Sequence, residues 1–114
     1  MNSYIFAGLN KPERNKSIRN PDLSELLNQV IRVTGIPLEN IMSKSRKREF
    51  VYPRHIFCYI ANRTNRFTQQ EMVEKLNRVN HATAINGITK IKGFLDYDKS
   101  VIADINEFDN FKTV

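Results

Sequence analysis

Two short amphipathic segments joined by a polar turn, within residues 68–95, constrain the fold of this chain more than any other feature. In the first segment, Thr68 can cap a helix, and Glu71, three residues later, can complete a capping box with it. The apolar residues that follow share one helical face: Met72, Val73 and Leu76. The segment is therefore predicted to be a short helix with one buried side.

The second segment carries its apolar residues at intervals of four, three and four, which places them on one face of a helix. These residues are Ala84, Ile88, Ile91 and Leu95. Between the two segments, Asn77 and Asn80 can adopt turn conformations that β-branched residues resist. The whole stretch is predicted to be a helix-turn-helix.

The first turn of the second helix presents short or polar side chains on the face opposite the apolar one. They are His81, Ala82, Thr83 and Asn86. Such side chains suit base edges and thymine methyl groups, and this end of the second helix contacts bases in DNA-reading helix-turn-helix proteins. Two amphipathic helices joined by four residues also occur in ordinary helical domains. The spacing alone therefore leaves DNA reading and plain packing open.

Charge is distributed unevenly along the chain, whose formal net charge is +6. Residues 43–54 carry a net charge of +4, whereas residues 96–112 carry a net charge of −3. This contrast predicts one side that faces a polyanion and another that faces solvent. Because no apolar residue interrupts the run from Ser43 to Glu49, that run is predicted to be an exposed loop.

Three blocks of sequence occur in an order that is typical of one family. The blocks are Ser43-Lys44-Ser45-Arg46-Lys47-Arg48, then Tyr52-Pro53-Arg54, and finally Asn80-His81-Ala82-Thr83. They resemble the C-terminal DNA-binding domain of the bacterial replication initiator family DnaA. That family has a Ser-Lys-rich basic loop, an Arg-Pro-Arg helix start and an Asp-His-Thr-Thr opening to the recognition helix. The resemblance extends over residues 21–108 and implies a compact all-α bundle with a Trp-repressor-like helix-turn-helix, here as a stand-alone small protein.

The resemblance also implies which residues contact DNA. Arg46 matches the arginine that the family inserts into the minor groove, where a guanidinium can bind base acceptors. Phosphate or flanking contacts are expected from residues around it and from the start of the next helix. The complete expected DNA-binding set is Ser43, Lys44, Arg46, Lys47, Arg48, Arg54, Arg78, Asn80, His81, Ala82 and Thr83.

This chain departs from the family pattern at several of these positions. Tyr52 replaces the arginine before the proline, and Asn77-Arg78-Val79 stands where the family has Gly-Gly-Arg. Asn80 replaces an aspartate, which exchanges a carboxylate for an amide that can pair with adenine, and Ala82 replaces a threonine. Each such change can alter base preference by ~1–3 kcal/mol. This chain is therefore expected to share the family's mode of binding more closely than it shares the DNA sequence that the family binds.

The rest of the chain is predicted to form one helical domain over residues 20–111, preceded by a basic, flexible tail over residues 1–19. The first helix is predicted to begin at Asn20-Pro21-Asp22 and to stop at Gly35. A short helix is predicted over residues 37–42. A central helix is predicted to begin at Pro53 and continue to about Thr64, and a last one to cover the core over residues 100–111.

Several protein classes receive no support from the sequence. His55 and His81 have no paired cysteine or carboxylate at metal-ligand spacing, so neither a metal, a cofactor nor a catalytic residue is expected. Cys58 is expected to be a packed, inert thiol. The chain has no apolar run of the ~20 residues that a membrane helix needs and no basic, apolar start typical of a secretory signal. A cytoplasmic protein is therefore expected.

The function that these features favour is binding of double-stranded DNA, with a role in replication initiation control or transcription regulation. An initiator or another protein is a possible second partner. Two alternatives remain open from the sequence: a protein-interaction module that kept the fold without specific DNA reading, and a non-specific nucleic-acid binder. The nucleotide-binding pattern Gly-x-x-x-x-Gly-Lys-Ser/Thr does not occur in this sequence, so nucleotide-driven assembly is not expected of it.

Overall fold

The computed structural model describes residues 22–108, and the regular structure in this range is entirely α-helical. The helices are α1 (Leu23–Thr34), α2 (Leu38–Met42), α3 (Arg48–Thr64), α4 (Gln69–Lys75), α5 (Ala82–Phe94) and α6 (Lys99–Asn106). The all-α prediction is confirmed. The predicted tail, residues 1–19, and the last residues of the predicted domain, 109–111, lie outside the described residues.

Helix α1 begins at a capping box formed by Asp22 and Glu25. The Asp22 carboxylate accepts a hydrogen bond from the Glu25 N–H at 2.9 Å, and the Asp22 N–H donates to Glu25 Oε1 at 3.0 Å. Because this reciprocal pair satisfies the first free amides of the helix, Asp22 is the cap, whereas the predicted start at Asn20 lies outside the described residues. The predicted stop at Gly35 is confirmed, since that residue is left-handed with φ of 75°.

Helix α3 begins at Arg48, five residues before the predicted start at Pro53. The first turn is held by the Lys47 carbonyl, which accepts hydrogen bonds from the Phe50 and Val51 N–H groups at 2.9 Å each. Pro53 therefore lies inside the helix, where its missing N–H removes a single intrahelical bond. The ring is buried, so packing compensates for that loss. The predicted exposed loop, Ser43–Glu49, is correspondingly shorter and comprises residues 43–47.

Helix α3 is the centre of the core and packs against α1 and α5. The fully or almost fully buried residues of α3 include Ile56, Phe57, Cys58, Ile60 and Ala61. Burial raises the pKa of the Cys58 thiol to about 12, which keeps it protonated and unreactive. The expectation of a packed thiol is confirmed. Within residues 22–108, none of the helices is both long and apolar enough to span a membrane.

The last helix, α6, is shorter than predicted and makes a polar contact with α3. It ends at Asn106, yet Phe108 beyond it is 1% exposed and closes the core as expected. The Tyr52 hydroxyl donates a hydrogen bond to Asp104 Oδ2 at 2.6 Å. Burial and the Asp104 carboxylate raise the pKa of the Tyr52 phenol, so the hydroxyl keeps its proton and remains a donor. Tyr52 thus packs and bonds where the family carries a charged arginine.

Tyr52→Phe is expected to lower the free energy of unfolding by ~1–2 kcal/mol, because it removes a hydrogen bond to a carboxylate and leaves the ring in place. Urea denaturation measures this change. Tyr59→Phe is the matched control, since Tyr59 is a partly buried tyrosine of the same helix. Equal stability of the two variants would contradict a stabilising contact between Tyr52 and Asp104.

Candidate nucleic-acid interface

The predicted helix-turn-helix is confirmed and consists of α4, a turn over residues 76–81 and α5. Thr68 caps α4, because its hydroxyl accepts from the Glu71 N–H at 3.1 Å while its own N–H donates to Glu71 Oε1 at 2.8 Å. The apolar face predicted for α4 is completely buried: Met72, Val73 and Leu76. Hydrophobic burial thus anchors α4 in the core and presents its other side to solvent.

The turn depends on one residue in the left-handed region. Asn77 has φ of 61°, a conformation that asparagine and glycine adopt more easily than other residues. This geometry explains why asparagine can stand where the family pattern has glycine. The next N–H, that of Arg78, returns to the Val73 carbonyl at 2.7 Å and closes the end of α4. The chain then leaves the turn in a fixed direction toward α5.

Asn80 helps to start the recognition helix. Its Oδ1 accepts a hydrogen bond from the Ala82 N–H at 2.8 Å, which satisfies one of the free amides at the start of α5. Bidentate pairing with adenine needs both the oxygen and the NH2 group of an asparagine side chain. Because the oxygen already binds the backbone, the NH2 group is the end of Asn80 best suited to a new partner, and it can only donate.

A close backbone contact fixes the position of α5 on α3. Gly87 is buried, and a Cβ atom at this position would lie 2.9 Å from His55 Cα and 3.0 Å from His55 Cδ2. Glycine is therefore needed for this approach. Burial lowers the pKa of His55, and the cations Lys90 and Arg54 lower it further, so the neutral ring is favoured beside α5. His55 acts here as a packing residue between the two helices.

Arg54, expected to be a phosphate contact, lies inside the protein and is only 4% exposed. Its Nε donates to the Ile41 carbonyl at 2.6 Å and its Nη1 to the Ser45 carbonyl at 2.8 Å. Its Nη2 donates to the carbonyls of Asn40 at 3.1 Å and Ser43 at 2.8 Å. Burial and the neighbouring Arg78 lower the pKa of this guanidinium. Arg54 therefore positions the chain around it instead of meeting solvent.

The segment that Arg54 holds is the basic loop, defined here as Ser43–Lys47. Arg78 holds it from a second side, because its Nη2 also donates to the Ser43 carbonyl. The serines shape the loop from within: the Ser43 hydroxyl donates to the Asn40 carbonyl at 2.7 Å and accepts from the Ser45 N–H at 3.3 Å. The basic loop is thus joined both to α3 and to the turn of the helix-turn-helix.

The cations of the basic loop and of the following turn remain at the surface. Lys44, Arg46, Lys47 and Arg48 are all exposed. The Lys47 ammonium lies 5.9 Å from the centre of the Phe50 ring, a weak cation–π contact that leaves the charge accessible. The loop therefore combines a backbone held by Arg54 and Arg78 with cationic side chains that are exposed to a ligand.

A single cleft brings the basic loop and the start of α5 together. Of the expected DNA-binding residues, those that line it are Lys44, Arg46, Arg54, Arg78, Asn80, Ala82 and Thr83. Four others lie outside the lining: Ser43, Lys47, Arg48 and His81. Residues distant in sequence thus line one cleft, which combines cations of the basic loop with short side chains from the start of α5.

The cleft also contains residues that were not in the expected set: Val51, His55, Asn77, Val79 and Asn86. Val79 is the most informative, because it is 88% exposed although it is branched and apolar. An apolar side chain among the polar residues of a turn is a signal that the sequence offered. Such a side chain suits contact with a thymine methyl group or a sugar.

These features define a helix-turn-helix domain whose second helix lies beside a loop of exposed cations. Comparison with known proteins identifies the family: its profile, the bacterial dnaA protein helix-turn-helix, matches residues 23–91. The chain therefore belongs to the DnaA helix-turn-helix family, as the sequence blocks had predicted. No solved structure matches the chain significantly.

Curated relatives of the chain are chromosomal replication initiator proteins DnaA. The protein from Bacteroides thetaiotaomicron is 30% identical over 88 residues, which cover 77% of this chain and 19% of the relative. The protein from Thermotoga maritima is 33% identical over 98 residues, which cover 85% of this chain and 22% of the relative. The matched region thus spans about a fifth of the length of these relatives.

Gly87→Ala is expected to lower the free energy of unfolding by ~1–3 kcal/mol, because the added methyl group must push α5 away from the backbone of α3. Gly93→Ala is the matched control in the same helix, where an added Cβ meets nothing within 4 Å. It is expected to stabilise the chain by up to ~1 kcal/mol through helix propensity. Urea denaturation of both variants measures the contrast, and a similar gain in stability for both would contradict the tight contact.

Proposed function

We propose that this chain binds double-stranded DNA, with the start of α5 in the major groove and Arg46 in the adjacent minor groove. The observation that carries the proposal is the cleft in which the basic loop meets the first turn of the recognition helix. An α-helix fits the major groove, and an arginine fits a narrow minor groove with its enhanced negative potential. The membership of the DnaA family supports the same arrangement.

The exposed cations divide into roles according to their surroundings. Lys44, Lys47 and Arg48 are exposed and suited to phosphate contacts, which position a protein without reading sequence. Ser43 and Arg54 are assigned to holding the basic loop, because their polar groups bind backbone atoms of the chain. Arg78 also lines the cleft, and its Nη1 is a buried donor without a hydrogen-bond partner.

Base reading is assigned to exposed residues of the turn and of the start of α5. Asn80 offers the donor NH2 group, so acceptors such as guanine O6 or the N7 atom of either purine suit it. Ala82 and Val79 offer apolar contacts that suit a thymine methyl group. Because Asn80 and Ala82 differ from the family pattern, the DNA sequence preferred by this chain is expected to differ in part from that of its relatives.

The biological role follows from this mode of binding. A domain that recognises DnaA-type sites can mark them, compete with an initiator for them, or regulate transcription from nearby promoters. Each of these activities requires occupancy of DNA alone, so neither a cofactor nor a catalytic side chain is needed. A chromosomal partner would place the activity in the bacterial cytoplasm.

The affinity of the chain for a duplex with a DnaA-type box, compared with a scrambled duplex of equal length over a salt titration, tests the proposal. A preference for the box is expected, and Arg46→Ala should weaken that preference about tenfold, the cost of one specific contact. Arg32→Ala, which removes an exposed arginine of α1, is the control and should leave the preference unchanged.

Two results would contradict sequence-specific binding. Equal affinity for both duplexes, with a steep salt dependence from counterion release, would indicate a non-specific nucleic-acid binder. The absence of binding to either duplex at low salt would overturn DNA binding altogether and favour the protein-interaction module.

A further inference from the structure

Three exposed side chains form a row of hydrogen bonds from α4 to the start of α5. Gln70 Nε2 donates to Glu74 Oε2 at 2.6 Å. On its other side, Gln70 Oε1 makes a hydrogen bond with His81 Nε2. Glu74, Gln70 and His81 therefore connect the first helix of the helix-turn-helix to the cap residue of the recognition helix.

The chemistry of this row determines which atoms carry hydrogens. The Glu74 carboxylate only accepts, so the Gln70 amide must turn its NH2 group toward it and its oxygen toward His81. That amide oxygen also only accepts, so His81 Nε2 must carry the hydrogen and donate. In the neutral imidazole, the remaining nitrogen, Nδ1, is then an acceptor.

We infer that Gln70 and Glu74 are positioning residues for base reading by His81, a role that rests on the DNA binding proposed above. They fix the imidazole so that Nδ1 is the atom left for DNA. An acceptor at this position suits the amino groups of the bases, cytosine N4 or adenine N6. His81 is then selective for a base that presents an amino group in the major groove.

The local geometry supports positioning in preference to helix capping. His81 occupies the cap position of α5, yet its side chain makes no capping hydrogen bond, and Asn80 serves the Ala82 N–H instead. The His81 ring therefore makes no capping hydrogen bond to the backbone of α5. Gln70 and Glu74 are four residues apart on one face of α4, a spacing at which side chains meet without rearranging the helix.

Nuclear magnetic resonance of the free chain tests the contact without DNA. The side-chain amide signals of Gln70 are expected to shift in His81→Ala and in Glu74→Ala, while those of the neighbouring Gln69 stay in place. Unchanged Gln70 signals in both variants would overturn the inference. Because all three side chains are exposed, both variants are expected to keep the thermal stability of the parent.

A double-mutant cycle on DNA preference tests the role itself, with duplexes that vary one base pair at a time. Gln70→Ala and His81→Ala are each expected to lower the preference at one base pair about fivefold, the net effect of one hydrogen bond. The double variant should lose no more than His81→Ala alone, because Gln70 acts through His81. Gln69→Ala is the matched control and should behave like the parent.

Different results would overturn the positioning role of Gln70 and the proposed binding of DNA. Losses that add in the double variant, or a Gln70→Ala variant with unaltered preference, would overturn the positioning role while DNA binding stands. A parent chain without preference among duplexes would overturn both the proposed specific binding and base reading by His81. In that case a Gln70 amide shift in the free chain would still identify the contact as structural.

Discussion

The buried guanidinium of Arg54 connects the central helix α3 to α2 and to the basic loop. Arg54 lies on the central helix and donates to four backbone carbonyls, two at the end of α2 and two in the basic loop. Hydrogen bonds from charged donors are stronger than those between neutral groups, and a buried charge is tolerated only when such bonds surround it. The loop that follows α2 therefore takes its path from the central helix, although its own residues are mostly polar and exposed.

The recognition helix takes its position from the same central helix, through the contact of Gly87 with His55. His55 is adjacent to Arg54 in α3. The basic loop and α5 are thus placed by neighbouring residues of a single rigid element, and Arg78 adds a direct link between the loop and the turn. A minor-groove arginine and a major-groove helix must keep a fixed separation to engage one duplex together. In the proposed complex with DNA, this arrangement would supply that separation before DNA arrives and would lower the cost of ordering the site on binding.

Local signals in the sequence predicted much of the fold. Gly35 ends α1 and Thr68 starts α4, because capping and left-handed glycine depend on a few adjacent residues. The predicted helix start at Pro53 was wrong because tertiary packing outweighed a local signal. Proline is typical of a first helical turn, but here burial of the ring and of the residues after it allows the helix to begin at Arg48. Tertiary packing overrode a local preference that the sequence displays clearly.

The site was predicted less completely than the fold. The exposed cations Lys44 and Arg46 do line the cleft, as a run of polar and basic residues suggests. Arg54 belongs to the same basic run, and only its position on the inner side of α3 separates it from its neighbours. The hydrogen bond between Gln70 and His81 joins residues whose approach depends on the angle between two helices, and a glutamine on an exposed helix face gives no sign of it.

The most direct test of the role of Arg54 is the affinity of Arg54→Lys for the box duplex, measured beside Arg48→Lys. Both substitutions keep the net charge, but lysine has no planar fork and cannot reach the four carbonyls at once. Loss of about tenfold or more in Arg54→Lys, against a small change at the exposed Arg48, is the predicted result if the buried arginine holds the loop in place for DNA. Equal affinity of the two variants would contradict it, because the position of the basic loop would then not depend on Arg54.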